Sequence, residues 1–235
     1  MKFKSYLIFY LFVYSLGGFS QTPKEELSEI AKKYNSFNEF SADVSAVTYS
    51  TQLDVTGTLF GDGLFVKIGT ALHTKFKFEE CIKNDNCIVV IDHKTKQISY
   101  RKTKYLTKTN SMAGMPSVDE VLTKCDSVRK KVITGSQYIY SVYLKGIVKH
   151  TDVIVDKDKL IQKITYFFDQ SNTKQRFPYY KLEMIYANIK TSSVDPNLIK
   201  EDKIIQYKAG KPILSEDYGQ YKLMVLQPQR TSLKR

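Results

Sequence analysis

Residues 23–45 read PKEELSEIAKKYNSFNEFSADVS, and within them the apolar spacing changes from helical to extended. Leu27, Ile30, Tyr34 and Phe37 recur at steps of three and four, with Lys and Glu between them. Pro23 stands where a first helical turn tolerates it. One amphipathic helix is therefore predicted over Pro23 to Asn38. Phe40, Ala42 and Val44 then alternate with Ser41, Asp43 and Ser45, the period of two that belongs to a half-buried strand.

Outward from this point the chain reads as strand after strand, punctuated by turn residues. Leu53 to Phe60 and Leu64 to Ile68 are joined by Gly61-Asp62-Gly63, where Asp-Gly favours a tight hairpin. Strands follow at His73–Glu80, Cys87–Asp92 and Gln97–Lys102. A later set covers Gln137–Leu144, Thr151–Asp156, Lys159–Asp169, Tyr179–Lys190, Ile204–Lys208 and Tyr218–Leu226. Between the two sets, Ser117 can cap a short helix over Val118 to Leu122, with Glu120 completing the box. The fold class is mainly β: a large antiparallel sheet in one meander, with an N-terminal helix and a short mid-chain helix. Phe76 and Phe78, Ile164, Tyr166 and Phe168, and Leu182, Met184 and Tyr186 give the strands one apolar face that needs cover. Such a face is compatible with a filled core and with a cavity that the helices plug in part.

Lys2 and Lys4, an apolar run from Tyr6 to Leu16, and Gly18-Phe19-Ser20 before Gln21 read as a secretory leader over residues 1–20. No Cys follows the cut, so the expected product is a soluble periplasmic protein without a lipid anchor, with residues 21–235 as a single domain. Removing the leader takes away two lysines and no acid, lowering the formal net charge from +12 to +10. The excess is scattered, as in Lys75-Phe76-Lys77-Phe78 and Lys94-Thr95-Lys96. Such scatter fits a solvated sheet face, or attraction to anionic lipid head groups or an acidic partner. It does not resemble a nucleic-acid footprint. Cys81 and Cys87 flank a polar loop, where they would form a disulfide or stand as two reduced thiols; Cys125 is left over.

No catalytic constellation assembles. His73, His93 and His150 are scattered and read as exposed, and Asp152, Asp156 and Asp158 lack the spacing of a calcium loop. Gly61-Asp62-Gly63 lacks the strand-to-helix context of a phosphate loop. The chain is expected to be a binding protein with no enzymatic activity, metal or cofactor.

Taken in order, several segments resemble the periplasmic outer-membrane lipoprotein carrier family, LolA and its relatives, in a divergent form of Bacteroidetes type. They are Tyr34-Asn35-Ser36-Phe37, Phe40-Ser41-Ala42-Asp43-Val44, Gly57-Thr58-Leu59-Phe60, Leu64-Phe65-Val66-Lys67, Ile88 to Thr95 leading to Tyr100, Val153-Ile154-Val155-Asp156 and Ile161-Gln162-Lys163-Ile164. The chain departs from the family where an Arg is usual near Ile68, and where Asp-Gly after the fifth strand reads Asp92-His93.

The resemblance implies a half-open barrel with helices over its concave face, an apolar cavity for lipoprotein acyl chains, and movement of that cargo towards the outer membrane. It further implies an inner-membrane lipoprotein-releasing transporter and an outer-membrane acceptor as partners. Alternation then places Val44, Leu59, Phe65, Phe76, Phe78, Val90, Tyr100, Tyr140, Ile164, Tyr166, Met184 and Tyr186 on the cavity wall. Met112, Met115, Val118, Val121 and Leu122 form the lid. The alternative is an exported envelope interaction or sensing protein of the same fold without cargo.

Overall fold

The computed structural model describes residues 21–103, 118–171 and 178–226. The leader at residues 1–20, Met112, Met115 and the Ser117 cap lie outside them, as do the side chains of Val118 and Glu120. Helix α1 (Pro23–Ser36) begins at Thr22, whose hydroxyl accepts from the Glu25 amide at 3.3 Å while the Glu25 carboxylate accepts from the Thr22 amide at 2.8 Å. This reciprocal cap satisfies two helix-end donors, and Glu25, Glu26 and Lys33 complement the helix dipole. The helix stops two residues before the predicted end because Phe37 takes an extended conformation, φ −61° and ψ 120°.

The strands in chain order are β1 (Glu39–Tyr49), β2 (Thr58–Ile68), β3 (Ala71–Phe76), β4 (Glu79–Lys83), β5 (Cys87–Asp92) and β6 (Gln97–Lys102). After helix α2 (Val118–Lys124) come β7 (Ser127–Thr134), β8 (Gln137–Tyr143), β9 (Val148–Asp156), β10 (Ile161–Phe168) and β11 (Lys181–Lys190). A small hairpin, β12 (Ile205–Lys208) with β13 (Lys211–Leu214), and then β14 (Lys222–Val225) complete the chain. Twelve strands form one curved, unclosed sheet in the order β14-β6-β5-β4-β3-β2-β1-β11-β10-β9-β8-β7. The predicted class, a large antiparallel sheet with two helices in a half-open barrel, is what forms. The single meander is not: one meander runs outward from β1 to β6, and a second runs inward from β7 to β11, meeting β1 on its other edge.

Several local expectations are corrected. Gly61-Asp62-Gly63 is no hairpin; it runs through the middle of β2. A Cβ on Gly63 would lie 2.1 Å from the Lys75 carbonyl oxygen, so this glycine permits close approach of β3. Gly61 likewise leaves space for the Lys77 stem, which would meet a Cβ at 2.3 Å. The predicted strand His73–Glu80 breaks at Lys77, whose φ is 53°. Phe78 thus sits in a turn, 56% exposed, and does not share a face with Phe76. The alternation Lys-Phe-Lys-Phe imitates a strand through that turn. Strand β7 went unpredicted because its exposed edge carries Arg129, Lys130 and Lys131 in place of an apolar row.

Two cores lie on opposite faces of the sheet. Leu27 and Ile30 of α1 and Leu122 of α2 pack on Tyr140, Val142, Val153 and Val155. On the other face, Ile204, Ile205, Leu214, Tyr218 and Tyr221 pack on Ile82, Cys87, Val89, Ile91, Ile98 and Tyr100. Of the residues predicted as further strands, Ile205–Lys208 is β12, antiparallel to β13 but outside the large sheet as part of this second cover, and Lys222–Val225 is β14, which joins the large sheet in parallel with β6.

That cover is clasped by histidines that were expected to be exposed. Glu80, nearly buried, takes His73 Nε2 on one carboxylate oxygen and His93 Nε2 on the other, each at 3.0 Å, and His93 Nδ1 meets the Tyr221 hydroxyl at 2.8 Å. Burial opposes the charged form of Glu80, yet its bonds to His73 and His93 outweigh it and hold the carboxyl below its ordinary value. Cys81 and Cys87, free in this structure, stand on opposite faces, because Cys81 pairs with Val90 while Cys87 faces the second core. Alternation separates the two thiols. Burial pushes Cys87 up to about 12.

Two outcomes follow from this packing. Thiol titration of the denatured, unreduced protein should count all three cysteines; a count of one would restore the Cys81–Cys87 disulfide. Glu80→Gln should lower the unfolding free energy by about 2–4 kcal/mol. A carboxyl depressed in the folded state stabilises fully above its ordinary value near 4.5 and loses that stabilisation as pH falls through the lower folded value. Urea unfolding from pH 6 to pH 3 should therefore show a shallower acid limb in the variant than in the wild type.

Candidate functional site on the helix-bearing face

The site is built from the centre of the sheet outward. Tyr34 and Phe37, at the end of α1, meet Phe40 of β1 at ring centroid distances of 5.3 and 5.9 Å, and Phe40 meets Phe65 of β2 at 5.8 Å. Spacing of three residues from 34 to 40 carries this band from helix to strand without turning it away from the face. Two of these contacts are tilted or edge-on and Phe37–Phe40 is stacked, arrangements that suit the ring quadrupoles. The helix is held over the band by polar ties. The Tyr34 hydroxyl accepts from the Ile161 amide at 2.6 Å, beside a bulge in β10, and Lys67 Nζ donates to the Asn35 carbonyl at 3.0 Å. Lys67 is the neighbour of Ile68, where the family pattern would have an Arg.

At the other end of α1, Glu26 accepts from Lys130 Nζ at 2.6 Å and from the Tyr140 hydroxyl. Partial burial opposes its charge, but these two donors prevail and keep its carboxyl below the ordinary value. Lys33 donates to the Asp158 carbonyl, and Lys159 pairs with Glu29 at 3.1 Å.

Pairing places most of the predicted cavity residues on one face. Tyr140, Val153, Ile164, Met184 and Ala46 form a continuous row across five strands, and Tyr186, Val44, Gly63 and Phe76 form another. Phe65 and Tyr166 share this face, as does Val90, which pairs with Cys81 opposite Thr74. Three residues do not. Tyr100 pairs with Val89, and is 2% exposed in the second core; Leu59 pairs with Val47 and is 60% exposed. For Tyr100 the slip is one of parity: β5 and β6 align Val90 with Ser99, so equal parity does not carry across their pairing. Phe78 is in its turn. Of the predicted lid, Val121 and Leu122 pack against α1 and the sheet, Leu122 fully buried.

The face is divided. Under the helices, Val44 and Tyr140 are packed core. Towards β5 the same face is accessible: Phe65 and Phe76 are half-buried and Val90 is 41% exposed. Phe60, which the sequence reading passed over, stacks on Phe76 at 6.2 Å. Between the halves stand Tyr166 and Tyr186. Both are half-buried, neither hydroxyl has a hydrogen-bond partner among the described residues, and burial raises both pKa values, helped at Tyr186 by Tyr166 and Tyr34.

A cleft of about 490 Å³ lies on the other face between Asp85, Asn86, Tyr100, Lys102, Glu201 and Tyr207. It is polar: Tyr100 and Tyr207 share a hydrogen bond at 2.8 Å, and Glu201 accepts from Asn84 at 2.5 Å and Asn86 at 3.3 Å. Among the described residues no group of three His, Cys, Asp or Glu side chains could hold a metal ion, and no helix is long and apolar enough to cross a membrane.

No protein-family model and no curated protein matches the sequence. Solved structures that superpose loosely include a DUF1329 family protein from Desulfovibrio piger, at 8% identity and TM-score 0.37, covering 77% of this chain and 99% of that one. An uncharacterized conserved protein from Thermus thermophilus superposes at 8% identity and TM-score 0.46, covering 86% and 99%. A LolA superfamily protein from Nitrosomonas europaea superposes at 10% identity and TM-score 0.31, covering 78% and 99%. Superpositions this loose carry no residue role across.

Proposed function

We propose that this chain is an exported, periplasmic carrier of the LolA-like type, which takes up lipoprotein acyl chains, or a similar lipid, on the helix-bearing face. The observation that carries the reading is the accessible apolar stretch of Phe65, Phe76 and Val90 beside the half-buried rings of Tyr166 and Tyr186, all on one face of the sheet. A surface of rings and branched aliphatics matches a hydrocarbon chain, whose burial yields ~0.8 kcal/mol per methylene. Such a gain binds one chain firmly, so release needs an element that can move. Helix α2 suits this role: at seven residues it is too short to be stable alone, and it is held through Val121 and Leu122. In this reading cargo arrives from an inner-membrane releasing transporter and leaves to an outer-membrane acceptor. The chain performs no covalent chemistry.

Fluorescent fatty-acid uptake, with mass spectrometry of lipid in gently purified protein, tests the reading. Val90→Glu should cut uptake at least about tenfold and leave stability within about 1 kcal/mol, since the side chain is 41% exposed and belongs to neither core. Tyr140→Ala should instead cost about 3–5 kcal/mol as a core truncation. Wild-type protein that takes up no fatty acid and carries no lipid would sink the proposal and leave an envelope interaction protein of the same fold.

A further inference from the structure

We propose that one end of the sheet is a contact surface for an anionic lipid bilayer. This end gathers the 50–57 loop between β1 and β2, the Lys77–Phe78 turn, the β5–β6 turn and the start of β11. Backbone bonds tie them together: Lys77 to the Asp62 carbonyl at 3.1 Å, His93 to the Phe78 carbonyl at 2.7 Å, and Tyr180 to the Tyr49 carbonyl at 2.7 Å. At its tip Leu53 and Val55 are 88% and 93% exposed. Between them the Asp54 carboxylate accepts from the Thr51 amide at 2.9 Å and hydroxyl at 2.8 Å, fixing a turn that leaves both aliphatics outside the protein. They contribute nothing to either core.

Behind the tip lies a girdle of rings, Tyr49, Phe60, Phe78 and Tyr179, with Phe60 and Tyr179 at 5.9 Å. Lys77 Nζ sits over the Phe60 ring at 3.2 Å and Lys181 Nζ over Tyr49 at 3.8 Å. Lys77 and Lys94 form no ion pair among the described residues. Scattered single apolar residues need no explanation. Aliphatics at a loop tip, aromatic rings one layer back and lysines among them reproduce the depth order of a bilayer interface: hydrocarbon, carbonyl region, phosphate. The formal net charge, +10 without the leader, selects anionic over neutral lipid. The girdle adjoins the Phe65–Val90 stretch where Phe60 stacks on Phe76, but the Leu53–Val55 tip lies outside that stretch, so membrane contact and cargo binding can be tested apart.

Vesicle co-sedimentation at low salt tests the proposal, using phosphatidylglycerol mixed with phosphatidylcholine and, separately, phosphatidylcholine alone. The protein should bind the anionic vesicles at least about tenfold more tightly than the neutral ones, with binding that weakens as salt rises. L53S/V55S should lose at least about tenfold in affinity with an unchanged thermal midpoint and unchanged fatty-acid uptake, and Lys77→Gln should flatten the salt dependence. No binding by the wild type, equal binding to neutral vesicles, or full binding by L53S/V55S would each overturn it. Loss of fatty-acid uptake with intact vesicle binding would remove the carrier reading alone.

Discussion

Everything in this molecule hangs on β1, which is hydrogen-bonded along both edges. On one side Ala46 faces Gly61 and on the other Met184; Val44 faces Gly63 and Tyr186. Neither meander contains a complete sheet without it. Phe40, Ser41, Ala42, Val44, Ala46 and Thr48 are all buried, and apart from Phe40 these positions carry only Ala, Ser, Val or Thr. Small residues at the seam let the rings of the neighbouring strands, Phe65 and Tyr186, stand higher than the floor between them.

A sheet with two covers on opposite faces divides its labour. The helices cover β7–β10 on one face, and the C-terminal segment covers β4–β6 on the other. Behind the accessible stretch of Phe76 and Val90 the sheet is therefore backed by Ile82, Val89 and Ile91, which are buried on the reverse side. A strand packed on one face and open on the other stays rigid while presenting apolar side chains to a guest. The Glu80 clasp, with its two histidines and Tyr221, keeps that backing in place.

The helix, its stripe and the alternation of β1, β10 and β11 were legible from residues 23–45, 161–168 and 181–190, because local period and burial agree there. Glycine misled where tertiary contact overruled turn chemistry: Gly63 serves the approach of β3, and nothing local distinguishes that from a hairpin. Phe78 misled because a strand and a turn held by Lys77 in the left-handed region look alike when Lys and Phe alternate. Tyr100 went to the wrong face because only pairing between strands reveals parity. The Glu80 cluster joins residues from β3, β4, the β5–β6 turn and the C-terminal segment, and no spacing announces it. Thr22 with Glu25, by contrast, was readable as a capping pair and was missed.

The central placement of β1 also sets an order of events in time. Tyr49 and Glu183, joined by a hydrogen bond at 3.1 Å, are 134 residues apart in the chain. As the polypeptide emerges, β1 to β6 can pair by successive short hairpins, but the β11 edge of β1 stays open until nearly the whole chain exists. Contacts of such sequence separation form slowly, and an open strand edge invites pairing with another molecule meanwhile. The nascent protein is thus exposed to misassembly at the very strand that unites the finished one, and an agent that shields this edge would raise its folding yield.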